Sequence, residues 1–392
     1  MSGRYSCSGY AKRFVPKGSV CSFCVMDQSD ADIRFDPSGR CSQCVQAEAK
    51  RPAWMATDAA RSQGFEATVA RLRKARGSRP FDAMIGVSGG LDSGYALVCA
   101  AEAGLKVLAM HCDTGWNTRQ SITNIENLCN RLGVPLETTV IDWDAMRDAQ
   151  RAFFLSGVPN CDIPQDHAIA ATVNKAAAKF GLRSFVSGGN WVSESILPIA
   201  WGHDAQDFVH LRAIWRQFGD WRRARRFPTQ SLFVRRVWQP YVRGVTAWRI
   251  LNDIRYDPAA AERRLQADFG WQSYGAKHCE SMFTRIFQSV YLPMRFDIDK
   301  RRAHLASLVV SGLVTRQQAL DELTVPPMTE DQAERDAAYL CEKLRFTPDD
   351  WARINSSPPK THHDYTVGTL EPRLAALGKR WVEPYLKFRR SW

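Results

Sequence analysis

The chain has 392 residues, 45% of them hydrophobic, more than one ordinary core holds, so two to four units are expected. A formal charge of +12 points to an anionic partner, with nucleotides, RNA and membrane surfaces all open. Met1 to Lys17 carries charges and no apolar h-region, and the longest apolar run, LASLVVSGLV at 305–314, is too short to span a bilayer, so no transmembrane segment and a cytoplasmic location are expected.

The eleven cysteines are an odd number, which argues against a disulfide framework. Four of them form two CxxC knuckles, Cys21 with Cys24 and Cys41 with Cys44, separated by sixteen residues. That is the spacing of a four-thiolate zinc site, and DPSGR at 36–40 supplies the turn that returns the second pair. With four cysteine ligands the ion has no open position, so the zinc is expected to be structural, in a module over 1–57.

The pattern FEATVARLRKARG predicts a helix over 60–77 that stops at Gly77. Strand-length apolar runs then alternate with helical segments: strands at 81–87, 106–112, 137–143 and 183–187, helices at 92–103, 118–132, 144–156 and 165–180. This alternation predicts an α/β fold, a doubly wound parallel sheet with helices on both faces, in a nucleotide-binding domain over 58–205. Ligands of such sheets bind beyond the carboxyl ends of the strands. SGGLDS (88–93), DTGWN (113–117) and SGGN (187–190) all fall there.

After 205 the strand signal fades into a helical region, 206–325, followed by a helical appendix, 326–392, opened by a capping box of Thr329 and Gln332. Between Arg212 and Arg236 eight arginines interleave with Trp215 and Trp221, and Trp238 follows, a pattern that fits a solvated face or a nucleic-acid or membrane contact.

In Ser88-Gly89-Gly90-Leu91-Asp92-Ser93 the glycines let phosphate oxygens approach backbone N–H groups at a helix start, and the serines add hydroxyl donors. Asp92 would repel a bare phosphate, but suits a Mg2+ that bridges phosphate oxygens. No lysine follows as in a Walker A loop, so attack at the α-phosphate with release of pyrophosphate is the better fit.

This string resembles the PP-loop of the ATP pyrophosphatases, which implies the adenine-nucleotide α-hydrolase type of sheet and activation by adenylation. DTGWN, SGGNWVSESIL (187–197), the stretch from Lys277 to Leu320, PPKTHHDY (358–365) and the paired knuckles together resemble the N-acetyl sugar amidotransferases of surface-polysaccharide and flagellin-glycan synthesis. The resemblance is weakest over 205–275. It departs from the family pattern at Cys279, where a second histidine is expected, and so leaves Lys277, His278 and Glu280 as the better candidates.

The resemblance implies an ATP-dependent, AMP-forming conversion of an acetamido group on a nucleotide-linked sugar into an acetamidino group. Its implied ATP contacts are Ser88, Gly89, Gly90 and Ser93 for pyrophosphate and Asp92 for Mg2+. Asp113 is expected at ribose or metal, or as a turn cap, and Gly188, Gly189 and Asn190 along nucleotide or acceptor. Glu194 is expected as acid or base. Lys277, His278, Glu280 and Arg285 are expected on one helix, with 278 and 285 on one face, to hold pyrophosphate or the substrate's diphosphate. Trp116, Asn117, Asp166 and His167 complete the substrate side, although Asp166 also suits a helix cap.

No glutaminase signature is present: residue 2 is Ser2, and none of the cysteines sits in a nucleophile elbow. Ammonia is therefore expected from a separate glutaminase subunit. The competing reading is a PP-loop enzyme that modifies tRNA, with Cys112 or Cys161 as a sulfur carrier. A zinc-binding adaptor without activity is the third.

Overall fold

Five short stretches pair into one parallel sheet in the order β3-β2-β1-β4-β5. The strands are β1 (Ala83–Gly86), β2 (Val107–Asp113), β3 (Leu136–Val140), β4 (Ser184–Val186) and β5 (Thr246–Trp248). The computed structural model describes residues 5–51, 57–275, 277 and 279–368.

The central strands are buried on both faces, as an apolar run requires. Ala83, Ile85, Val107 and Ala109 join the main core, while Met84, Leu108 and Met110 face the other way and pack with Ala176, Ala177 and Leu182. β3 alternates at the edge, with Val140 exposed.

The helices are α1 (Ser42–Ala49), α2 (Asp58–Arg76), α3 (Leu91–Glu102), α4 (Arg119–Leu132), α5 (Trp143–Ser156) and α6 (Ile163–Lys179). The short α7 (Trp191–Glu194) follows β4, and α8 (Phe208–Phe218) and α9 (Pro258–Phe269) flank β5. The C-terminal region holds α10 (Met282–Ile286), α11 (Leu292–Phe296), α12 (Arg301–Ser311), α13 (Arg316–Leu323), α14 (Glu330–Leu344) and α15 (Pro348–Ser356). Thr329 and Gln332 form the expected capping box on α14.

β5 differs from the sequence reading, because the sheet takes its last strand from beyond residue 205. Its three residues carry too short an apolar pattern to stand out among the neighbouring arginines and tryptophans. The stretch around it is also less open than its composition implies. Trp215 is fully buried and donates to Asp148 Oδ2 at 2.6 Å, and Arg226 and Arg235 pair with Asp142 and Asp204. Among the described residues no helix is long and apolar enough to cross a membrane.

β2 and β4 leave β1 on opposite sides, so the chain reverses direction of progression at β1. This is the switch point at which open α/β sheets leave a crevice beyond their strand ends. The SGGLDS loop follows β1 and the SGGN loop follows β4, so both open into that crevice.

Candidate active site

The loop after β1 is shaped by two constraints on glycine. Gly89 has φ +84°, and a Cβ there would lie 2.6 Å from the Ser121 carbonyl oxygen, so no larger residue fits against α4. Its own carbonyl accepts from Trp271 Nε1 at 2.8 Å and from the Tyr274 hydroxyl at 3.0 Å, which fixes the loop's backbone here. A Cβ on Gly188 would meet Ser93 N at 2.6 Å, so the SGGN loop rests directly on the first turn of α3. The hydroxyls of Ser88 and Ser93 lie 3.2 Å apart at the mouth of this loop.

Lys277 closes the corner. Its Nζ donates to Ser193 Oγ at 2.9 Å and pairs with Glu194 at 3.0 Å and Asp92 Oδ2 at 3.1 Å. Burial alone would lower its pKa, but Asp92 and Glu194 outweigh that and hold it above the usual lysine value. Asp92 also accepts a hydrogen bond from the Tyr256 hydroxyl through Oδ1. Glu280 accepts from Ser88 Oγ at 3.3 Å, and its carboxylate occupies the space that a side chain at Gly90 would fill. Burial, then Asp92, pushes the Glu280 pKa up.

The structure thus brings together Ser88, Gly89, Gly90, Asp92, Ser93, Gly188, Glu194, Lys277 and Glu280. Gly189 lies alongside, with Glu194 and Arg249 within 3.6 Å of the position its Cβ would take. His278 lies outside the described residues. Lys277 and Glu280 sit in the turn before α10 rather than on one helix with Arg285, because Ser281 caps that helix by accepting from Thr284 N–H.

Several expected ligand contacts are corrected by burial or by a protein partner. Trp116 is fully enclosed, donates to Gln150 at 2.8 Å and packs on Trp143 and Phe283. His167 has both ring nitrogens engaged, with Ala205 O at 3.0 Å and Gln230 N–H at 3.2 Å, and burial lowers its pKa to about 4. Asn190 is buried and caps α7 by accepting from Ser193 N–H at 2.8 Å. Arg285 is held by Asp336 of α14 at 3.0 Å.

Asn117 Nδ2 is tied to Asp113 and His111, each at 2.9 Å, and His111 in turn donates to Val87 O. Asp113 Oδ1 closes its own turn by accepting from Gly115 N–H at 2.8 Å. Both residues therefore brace the strand that carries the phosphate loop. Asp166 keeps an exposed side chain on α6.

Sequence reasoning missed Tyr256, Ser193, Trp271 and Tyr274. They hold the site from elements that carry no phosphate-loop signature, and a buried hydroxyl or indole leaves no local signal of its partner.

The donor set fits a magnesium nucleotide. Backbone N–H groups and two hydroxyls suit phosphate oxygens, and Asp92 and Glu280 are hard oxygen ligands of the kind Mg2+ takes. The four knuckle cysteines fit zinc. All are 0% exposed, and neighbouring sulfurs lie 3.5–3.8 Å apart. A tetrahedron with Zn–S bonds of ~2.3 Å has an edge of ~3.8 Å. Backbone N–H groups of Cys24 and Cys41 point at Cys21 Sγ, which tempers thiolate charge.

The module is clamped to the C-terminal helices. Arg316 donates to the carbonyls of Cys21 and Cys24, and Arg302 makes a buried pair with Asp27 at 3.1 Å. Trp191, which opens α7 beside the site, donates to Ala47 O of α1.

Comparison with known proteins follows this division. Residues 82–178 match the family model of the queuosine biosynthesis protein QueC, and residues 280–375 match that of the LPS biosynthesis protein WbpG-like, C-terminal domain. Among solved structures, NMN synthetase from Francisella tularensis is similar at 15% identity and a TM-score of 0.27, covering 58% of this chain and 92% of that chain. No curated protein matches.

Proposed function

We propose that this chain, in which a PP-loop segment precedes a WbpG-like C-terminal domain, is an ATP-dependent, AMP-forming sugar amidotransferase that serves lipopolysaccharide biosynthesis. The observation that carries the reading is Lys277. It stands just ahead of the WbpG-like segment, yet its ammonium is seated on the aspartate of the phosphate loop. A cation delivered from the C-terminal side suits the β- and γ-phosphates as a leaving group and replaces the lysine that the loop itself lacks.

An acetamido group resists ammonia because its oxygen leaves poorly. Attack of that oxygen on the α-phosphate gives an O-adenylyl imidate and pyrophosphate, and ammonia then displaces AMP to leave the acetamidine. Ser88, Ser93 and the Gly89 and Gly90 N–H groups hold the pyrophosphate oxygens, and Lys277 orients them. Asp92 and Glu280 would hold a Mg2+ ion, whose charge would offset that of the pyrophosphate. Glu194 fixes Lys277, and Asp166 faces the acceptor. A separate glutaminase subunit supplies the ammonia.

The experiment is a product assay with ATP, Mg2+, ammonium and a panel of UDP- and CMP-linked N-acetyl sugars. The expected result is AMP, pyrophosphate and a sugar lighter by the difference between O and NH. ADP and phosphate, or AMP with no change in any sugar, would overturn it.

A second reading is adenylation of a tRNA base by a PP-loop enzyme. Sulfur transfer is poorly served, since Cys161 is fully buried and burial pushes the Cys112 thiol up to about 11. AMP formation only when tRNA is added would establish this reading instead.

A further inference from the structure

His304 is a histidine of this corner that the site described above leaves without a task. It lies in the first turn of α12, and its Nδ1 is 3.1 Å from the Ser193 carbonyl. A carbonyl can only accept, so Nδ1 carries the proton and Nε2 keeps its lone pair. Among the described residues Nε2 has no hydrogen-bond partner. Ser193 is thus a shared support: its carbonyl sets the imidazole, its hydroxyl receives Lys277, and its N–H is held by Asn190.

The charged groups whose field reaches the ring are Lys277, Asp92 and Glu194. Burial, and then Lys277, holds its pKa below the ordinary histidine value, which favours the neutral ring. The other bases bonded around Lys277 and Ser88 are committed. Asp92 and Glu194 pair with Lys277, Glu280 accepts from Ser88, and His111 has both ring nitrogens bonded.

We infer that His304 is the proton acceptor for the ammonia step, an assignment that rests on the sugar-amidotransferase reading. Ammonia nitrogen forms a bond to the acetamido carbon of the adenylated sugar and becomes positively charged. A proton passes from that nitrogen to His304 Nε2. The bond from carbon to the AMP oxygen then breaks, its electron pair leaving with AMP, and the amidine remains. The imidazolium returns its proton to the amidine or to water.

The test separates the two half-reactions in the wild-type chain and in two variants. His304→Asn keeps an amide donor for the Ser193 carbonyl but removes the base, and His304→Ala opens a space for added imidazole. Exchange of labelled pyrophosphate into ATP, with the acceptor sugar and no ammonia, reads adenylation; amidine formation with ammonium reads the second step. The expected result is exchange within a fewfold of wild type in His304→Asn and amidine formation slower by about 10²-fold or more, with imidazole restoring part of the rate to His304→Ala. Amidine formation that falls no further than exchange in both variants would overturn the assignment. A wild-type chain that shows no exchange with any N-acetyl sugar overturns the amidotransferase reading itself, and the assignment falls with it.

Discussion

The molecule's two polar centres are built on opposite plans. At the knuckles every sulfur is 0% exposed, and the surrounding carbonyls are taken up by Arg316. At the phosphate loop, Lys277, Asp92 and Glu194 retain 20%, 19% and 40% side-chain exposure, and the serine hydroxyls bond to each other. A structural ion is best held by a closed, permanently satisfied shell, whereas a site that turns over needs groups whose present partners can be exchanged for a ligand's oxygens. Both centres hang from the same C-terminal helices, through Arg302 and His304 of α12 and Arg316 of α13.

The sharpest separation of the two is expected from Lys277→Met. It should lower pyrophosphate release by about 10²–10³-fold while leaving zinc content intact, because it removes one electrostatic donor from an open site. Removal of zinc by a chelator, or Cys41→Ser, should act the other way round. The melting temperature falls first, and activity falls as Trp191 loses its anchor on Ala47, readable by calorimetry beside the rate. Full activity in metal-free protein would break the link between the two centres.

Tyr256→Phe removes one hydrogen bond to the Asp92 carboxylate and should cost about tenfold in the rate of AMP formation, with little change in melting temperature. A loss as large as that of Lys277→Met would place Tyr256 in direct contact with the nucleotide.

The smallest effect concerns acid. Burial lowers the pKa of His167 and His210 to about 4 and of His362 to about 2, and the last two meet at 2.9 Å to tie PPKTHHDY to α8. Because these folded values lie below the ordinary histidine value of about 6.5, the unfolded chain takes up protons first as pH falls. Stability is therefore full above about pH 6.5 and is lost progressively toward pH 4. Melting curves across that range should show the slope, and His362→Asn should flatten it.

Much of this was legible in the sequence because it is local. Apolar runs of strand length, Gly77 at a helix end, and the SGGLDS and CxxC strings announce themselves within a few residues. What the sequence hides is set by distant partners. Trp116 after β2 reads as a substrate contact until Gln150 and Phe283 enclose it. His167 reads as a ligand until Ala205 and Gln230 take its two nitrogens. Tyr256 and Trp271 reach the phosphate loop from elements more than 160 positions away, so no spacing marks them. β5 is three residues long and joins the sheet only through β4.

The most direct test of the central claim follows one atom. With an N-acetyl sugar carrying heavy oxygen in its acetamido group, attack of that oxygen on the α-phosphate delivers the label into AMP, and mass spectrometry of the nucleotide reads it. Labelled AMP formed together with the acetamidino sugar is the predicted result. Unlabelled AMP, or label retained in the sugar, would show that the acetamido oxygen never met the α-phosphate.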